Sequence, residues 1–556
     1  MRSSAEWAAD FARRKGRPLR VLHIGNIANN AYFNAKIQRA RGIEADVLCN
    51  DYFHIMGCPE WEDGEFQGDV GDANDPDWGA VRMRNGFKRP RWFAQGGLDA
   101  CIRALLAYRA HPDQRRNAAW LLLRGETWLR TRRDARADRA RAWIAKHCGA
   151  PNAPPLVLLG RQVWWWLFAK PLPLPKTLEA RMRLFRARLR RYTLRADSNR
   201  AYLFNFKRTT KLRARATQRA DAVLGETGRS LDEHDLDFTY TWWWHPYLRR
   251  LFSRYDIIQG YATAPAMPFA MDVPYFAYEH GTLRSIPWDD NPQGRLCLAS
   301  YRHAESVFVT NTDCVDAALK FGVEPDRLVR LPHAVDSDSL IAFAGKRRRS
   351  HSPPRNRVVF FTPTRQHWVE GGDMSMAKGN DRVFCALALL RDRGLTCTLR
   401  AVAWGHHLEQ SKQLIAELGV EHMVDWAPVM KKRELIGEFL RAHAIVDQFI
   451  IPAFGAITFE TMILGRRLIA AIDHDVLGQF FGEAPPVDDI RTAEQIADAM
   501  QAVIEDPDDR AGRIPAITAW MQAHHSAERI VSLQLQAYER FLGAAPTTDP
   551  KEAIPQ

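Results

Sequence analysis

Residues 19–48 constrain this chain more than any other stretch. LRVLHI, 19–24, is a short apolar run with sharp bounds, as a buried strand should be. Gly25 and the asparagines behind it make a turn, residues 30–41 have helical composition, and Gly42 ends the helix. Residues 45–48 read as the next strand. Strand, glycine turn, helix and strand within about 30 residues form a βαβ unit, which requires the two strands to lie parallel in one sheet. The alternation breaks off after residue 60 and resumes near 256. Strands are predicted there at 256–260, 274–278 and 306–309, with a helix at 312–321. Residues 345–357 (GKRRRSHSPPRNR) are polar, basic and proline-containing and read as a domain boundary. A second series follows, with strands at 358–362, 398–403, 443–447 and 467–472. Its helices are predicted at 381–393, 409–418, 431–441, 456–464 and 492–504. The expected fold class is α/β: two Rossmann-like doubly wound domains, over 1–344 and 345–514. Amphipathic helices over 515–543 could cross back to the first domain, and 544–556 reads as a frayed tail.

The break in the first series is an insertion of different chemistry, basic, Trp-rich and helical, over about 90–240. Residues 101–220 hold 29 Lys and Arg against 6 Asp and Glu, a net +23, so the rest of a chain of net +13 stands at −10. Any polyanion-binding surface must lie in that segment. It allows three readings: docking on an anionic membrane with the aromatic run 164–168 at the interface, nucleic-acid binding, and a solvated helical excursion. Nucleic acid is not expected, because no RNA or DNA motif accompanies the charge. No apolar run reaches the roughly 20 residues that a bilayer requires. The N-terminus lacks the apolar core of a signal peptide. The eight cysteines form no C-x-x-C pair. These features predict a cytoplasmic protein with reduced thiols and no cysteine-based metal site.

Doubly wound sheets bind ligands at the carboxyl ends of their strands, so five loops carry the functional expectations. GNIANNAYFNAK offers Gly25, Asn26, Asn29 and Asn30 at a helix N-terminus, suited to an anion or equally to a capped helix after a tight turn. DYFHIMGCPEWED, 51–63, brings His54 together with Glu60, Glu62 and Asp63, groups able to hydrogen-bond a polyhydroxylated ligand or to pack the loop on Trp61. YEHGTLR puts His280 at the end of a strand. TPTRQHW…AKGND sets Arg365 and Lys378 on either side of a glycine-rich loop, and two such cations suit a diphosphate. DQFIIPAFGAITFETMILGRR places Asp447 and Gln448 at a strand end, Phe454 and Gly455 at a turn, and Glu460 inside the next helix, where a carboxylate could accept ribose hydroxyls.

Taken together, these residues make 356–510 resemble the donor-binding domain of GT-B glycosyltransferases, the retaining family 4 in particular, with a looser resemblance in the first half. The resemblance implies a GT-B fold and transfer of a sugar from a nucleotide-diphosphate sugar. Arg365 and Lys378 would grip the donor diphosphate, Gly405 would lie near the donor, and Pro428, Val429 and Met430 near its base. FGAITFETMILGRRLI is similar to the family's E-x7-E segment. Its second glutamate is Glu460, the ribose partner, and Pro452 stands in place of the first. YEHGT resembles the HG loop, which would set His280 over the donor sugar, so His280, Arg365 and Lys378 are the expected catalytic residues. Gly25, Asn26, Asn29, Asn30 and His54 would face the acceptor, and Phe454 and Gly455 the donor. The resemblance implies no metal and no cofactor beyond the co-substrate. It further implies a lipid-linked or polysaccharide acceptor and a peripheral place on the inner membrane face. The alternatives are a nucleotide-sugar epimerase and a GT-B module that binds without turnover.

Overall fold

The computed structural model describes residues 2–50, 52–112, 212–231, 235–236, 247–348, 350–368, 377–452 and 454–544. The helical readings within 113–211, including the aromatic run 164–168, lie outside the described residues. Among the described residues, no helix is long and apolar enough to cross a membrane.

The first sheet contains β1 (Arg20–Ile24), β2 (Glu44–Asn50), β3 (Phe93–Gly96), β4 (Ile257–Tyr261), β5 (Phe276–Tyr278), β6 (Val307–Val309) and β7 (Leu328–Arg330). Its strands run parallel in the order β3-β2-β1-β4-β5-β6-β7. The second sheet contains β8 (Val359–Thr362), β9 (Thr398–Val402), β10 (Val424–Ala427), β11 (Ala444–Val446) and β12 (Arg467–Ile469), parallel in the order β10-β9-β8-β11-β12. Each sheet reverses its strand order once, between β1 and β4 and between β8 and β11. These are the two switch points at which doubly wound sheets hold ligands. Two such domains in one chain make the GT-B architecture. The central strands are the apolar runs of the sequence, because a parallel strand covered on both faces needs apolar residues on both. Three strands of these two sheets were not expected: β3, β7 and β10.

The helices that matter for the site are α1 (Ser4–Lys15), α2 (Asn30–Arg39), α3 (Ser337–Arg347), α4 (Asn380–Asp392), α5 (Lys432–Arg441), α6 (Ala456–Ile463), α7 (Arg513–His524) and α8 (Ala527–Ala544). A capping box starts α1, with Ser3 Oγ accepting from Glu6 N–H and the Glu6 carboxylate accepting from Ser3 N–H. Trp7 and Phe11, one turn apart, stack at 5.5 Å and are buried. Helix α3 lies at the end of the first half of the sequence but packs on α5 and α6 of the second. Helix α7 packs on α6, whereas α8 packs on α1 and α2, so the chain crosses between domains at His525 and Ser526. One buried cluster accordingly runs from Trp7 through Phe276 and Tyr538 to Phe439 and Trp520, joining both domains.

Beneath the first switch point, α8 is tied in by a ring of buried polar groups. Gln534 Nε2 donates to Asn34 Oδ1 (2.6 Å) and Gln38 Nε2 to Gln534 Oε1 (2.8 Å). His23 Nε2 lies 2.9 Å from Gln38 Oε1, and Tyr261 hydroxyl 2.9 Å from His23 Nδ1. Gln259 Nε2 donates to Tyr261 (2.8 Å), and Tyr538 closes the ring on Gln259 Oε1 (2.6 Å). The carboxamide oxygens accept, so His23 carries its proton on Nε2 and the whole ring is satisfied.

Candidate functional site

Above the second switch point, β8 leads into Arg365 and β11 into Asp447 and Gln448. Lys378, just before α4, reaches this point and its ammonium donates to Gln448 Oε1. Its main chain fixes it twice, with Lys378 N–H on His367 O (2.7 Å) and Lys378 O accepting from Phe449 N–H (2.8 Å). Burial lowers the Lys378 pKa, and the Arg365 charge lowers it further while Asp447 opposes. Arg365 is thus near enough to repel the Lys378 ammonium. Asp447 is buried and its carboxyl is pushed up by that burial, against the Thr458 hydroxyl, which donates at 2.8 Å, and Lys378. Asp447 and Thr458, at the start of α6, close the floor of this space. An anion arriving there would meet two positive side chains and the free N–H groups of α6, whose first turn follows Gly455.

Gly405 closes the loop after β9 onto the loop after β8. Its φ is +116°, and a Cβ there would stand 2.5 Å from both the amide nitrogen and the carbonyl oxygen of Gln366. Gln366 N–H donates to Trp404 O (2.8 Å), and His407 N–H to Gln366 O (3.0 Å). Only glycine permits this approach, so Gly405 sets the position of the loop that bears Arg365. Pro428, Val429 and Met430 follow β10; Val429 is 67% exposed, while Met430 packs on the core. Phe454 is packed between Phe481, Trp520 and His525.

The first domain faces this point with the loops after β1, β2 and β5. Gly25 has φ +92° and lies against Tyr261. The asparagines behind it hold the loops to one another. Asn26 Nδ2 donates to Gly57 O and to Asn29 Oδ1 (both 2.9 Å), and its Oδ1 accepts from Tyr32 N–H (2.9 Å). Asn29 Nδ2 donates to Cys58 O (3.0 Å). His54 caps the turn Ile55–Gly57, its Nδ1 accepting from Met56 N–H (3.2 Å). Asn30 faces His280: its Nδ2 lies 3.2 Å from Nδ1 and 3.3 Å from Nε2, and its Oδ1 accepts from the Tyr278 hydroxyl (3.3 Å). Burial, aided by the Arg284 charge, lowers the His280 pKa to about 4, so the ring is neutral at pH 7.

Glu460 is buried on α6, but Lys432 is its ion-pair partner, while its Oε2 has no partner. Lys432 belongs to a basic run, Lys431, Lys432 and Arg433, that sequence reasoning passed over as an ordinary helix start. Lys431 Nζ donates to Phe66 O (2.9 Å) and stands 4.6 Å above the Phe66 ring. Arg433 pairs with Asp63 (2.8 Å), which also accepts from Tyr32 (2.5 Å) and Lys36 (2.8 Å). Arg347 pairs with Glu65 (2.9 Å). The loop 60–66 is therefore held by the second domain, beside an open cleft of about 370 Å³ between Glu62, Asp63 and Lys36 on one side and Lys432, Arg433 and Glu460 on the other. A second cleft, about 450 Å³, opens between Arg284, Asn311 and His333 and the Phe454–Gly455 turn, with His525 behind.

The sequence model described as Glycosyltransferase Family 4 matches residues 200–339. The match lies in the first domain and contains His280, whereas the sequence resemblance rests mainly on the second. Comparison with curated proteins returns no match. Among solved structures, Anabaena Alr3699/HepE in complex with UDP and glucose is similar at 16% identity and a TM-score of 0.38, over 53% of this chain and 80% of that one. A glycosyltransferase from Rickettsia africae ESF-5 is similar at 14% identity and a TM-score of 0.39, over 53% and 79%. UDP-GlcNAc 2-epimerase from Neisseria meningitidis bound to UDP-GlcNAc follows at 14% and 0.35, over 52% and 76%.

Proposed function

We propose, on the premise of its resemblance to the family-4 glycosyltransferases, that this protein transfers a sugar from a nucleotide-diphosphate sugar to an acceptor held by the first domain. What supports this reading is Lys378, seated on Gln448 after β11 near Asp447, with the charge of Arg365 acting on it from the loop after β8. Breaking the anomeric C–O bond puts negative charge on the departing diphosphate. Fixed positive groups in a water-poor cleft stabilise that charge as it develops. This chemistry calls for no metal here, since two cations and a helix terminus meet the charge. A neutral His280 supplies hydrogen bonds to the sugar rather than positive charge. The resemblance makes Glu460 the ribose partner, a role that requires it to open from Lys432, since its second oxygen is buried.

The test is Arg365→Ala and Lys378→Ala, assayed for transfer and for donor hydrolysis against a panel of UDP-, GDP-, ADP- and CMP-sugars. Removing one such group should cost about 100-fold or more in turnover. Activity near that of the unaltered protein would overturn the assignment. The resemblance extends the reading to retention of the anomeric configuration, which product NMR checks, and to a lipid-linked or polysaccharide acceptor. The basic segment 101–220 extends it to an anionic membrane surface. Binding to anionic liposomes should then be present at low salt and lost at high salt.

A further inference from the structure

One amide nitrogen, Asn30 Nδ2, lies at nearly equal short distances from both nitrogens of the His280 ring, 3.2 and 3.3 Å. In the plane of the ring the Cε1 carbon stands between those nitrogens and would obstruct such an approach. The amide must therefore sit over the ring face, an N–H···π contact rather than a bond to one lone pair. The Tyr278 hydroxyl donates to Asn30 Oδ1, which leaves the NH₂ group as the end that faces the ring. Asn30 Nδ2 also donates to Ile27 O (3.2 Å), so its orientation is fixed from two sides. The ring of His333 meets that of His280 at 89° and 5.7 Å. His333 is in turn stacked on Phe459 of α6 (6.1 Å) and accepts through its carbonyl from His525 (2.9 Å). His280 is thus gripped by an amide and a second imidazole. Both of its nitrogens are left without an in-plane partner among the described residues.

We infer that Asn30 and His333 are positioning residues: they clamp the His280 imidazole by contacts that leave its two nitrogens directed at the ligand, one as donor and one as acceptor. The inference deepens the sugar-transfer reading, because a ring so held can take one sugar hydroxyl on each nitrogen. The partially positive amide hydrogens on the ring face disfavour an imidazolium, as does Arg284 from the following turn. Glu279, the residue before His280, does not offset them. Its carboxyl is held by Asn311 (3.1 Å), and burial raises its pKa. His333 and His525, the other titratable groups packed here, are themselves kept neutral by burial.

The experiment follows the ¹³C-labelled His280 ring by NMR in the ligand-free protein, assigned by its loss in His280→Gln. Asn30→Asp keeps the shape of the side chain but puts a carboxylate over the ring. The His280 midpoint, about 4 in the unaltered chain, should rise by about 1–3 pH units, the size of a close opposite charge. Turnover should fall with the nucleotide-sugar KM little changed. Tyr278→Phe removes the hydroxyl that orients Asn30 and should shift the midpoint in the same direction, by less. It serves if Asn30→Asp does not fold. An unmoved midpoint in the folded variant overturns the clamp. A shifted midpoint in a protein that uses no nucleotide sugar overturns only the sugar-transfer reading.

Discussion

Gly405 shows how little room a single position has. A methyl group there would meet the Gln366 backbone at 2.5 Å, and neither loop can retreat without breaking the two hydrogen bonds that join them. Gly405→Ala should cost about 1–3 kcal/mol from the left-handed backbone alone. It should also displace Arg365 and weaken nucleotide-sugar binding; urea denaturation and calorimetry report the two effects separately. Histidine gives the second prediction at this scale. Burial holds His23 and His525 at about 4, and both are fully buried. Their folded pKa lies below the unfolded value near 6.5, so the unfolded chain binds more protons between those values. Stability is then complete above about pH 6.5 and is lost as pH falls towards 4, by up to about 1.4 kcal/mol per pH unit for each ring. Melting temperature measured from pH 7 to 4.5 should fall steeply, and His525→Gln should flatten part of the slope.

At the scale of elements, the first turn of α5 and the loop 60–66 form one electrostatic joint. Asp63 serves Tyr32, Lys36 and Arg433 together. Asp63→Asn strands the part-buried Arg433, while Lys36 keeps Asp336 (2.8 Å), and should cost about 3 kcal/mol. Arg433→Met leaves Asp63 its other partners and should cost less. A double-mutant cycle between them should show coupling of about 0.5–3 kcal/mol. The sequence made some of these elements visible and hid others for physical reasons. β1, β8, β9 and β11 are predominantly apolar runs bounded by turns and were legible to within a residue or two, despite His23 in β1 and Arg400 in β9. β3 ends in Gln95 and Gly96 after a loop rich in glycine and aspartate, and β7 and β10 are edge strands whose partly exposed residues blur the pattern. Arg365 and Lys378 stood out as candidates because they flank a glycine-rich loop after a strand. Lys432 was not, because a basic residue at the start of a helix looks solvated until Glu460, 28 residues on, is brought to it.

At the scale of the whole molecule, the chain returns from the second domain after α7 and seats α8 on α1 and α2 of the first. Gln534 sits inside the polar ring beneath the first switch point, and Gln534→Leu leaves Asn34 Oδ1 and Gln38 Nε2 buried without it. The loss should be about 1–3 kcal/mol for each group so stranded, measured by denaturation. Asn34 Nδ2 donates to Asn30 O (2.9 Å), so the same change should also perturb the His280 titration. The order of synthesis gives α8 one more role. The ribosome makes the first sheet long before α8, yet Tyr538 and Gln534 complete the interior of that first sheet. The first domain must therefore wait, with part of its interior uncovered, until α8 leaves the exit tunnel. Nascent chains stalled before residue 527 should be cut readily by protease within 20–110, and released full-length chains should resist.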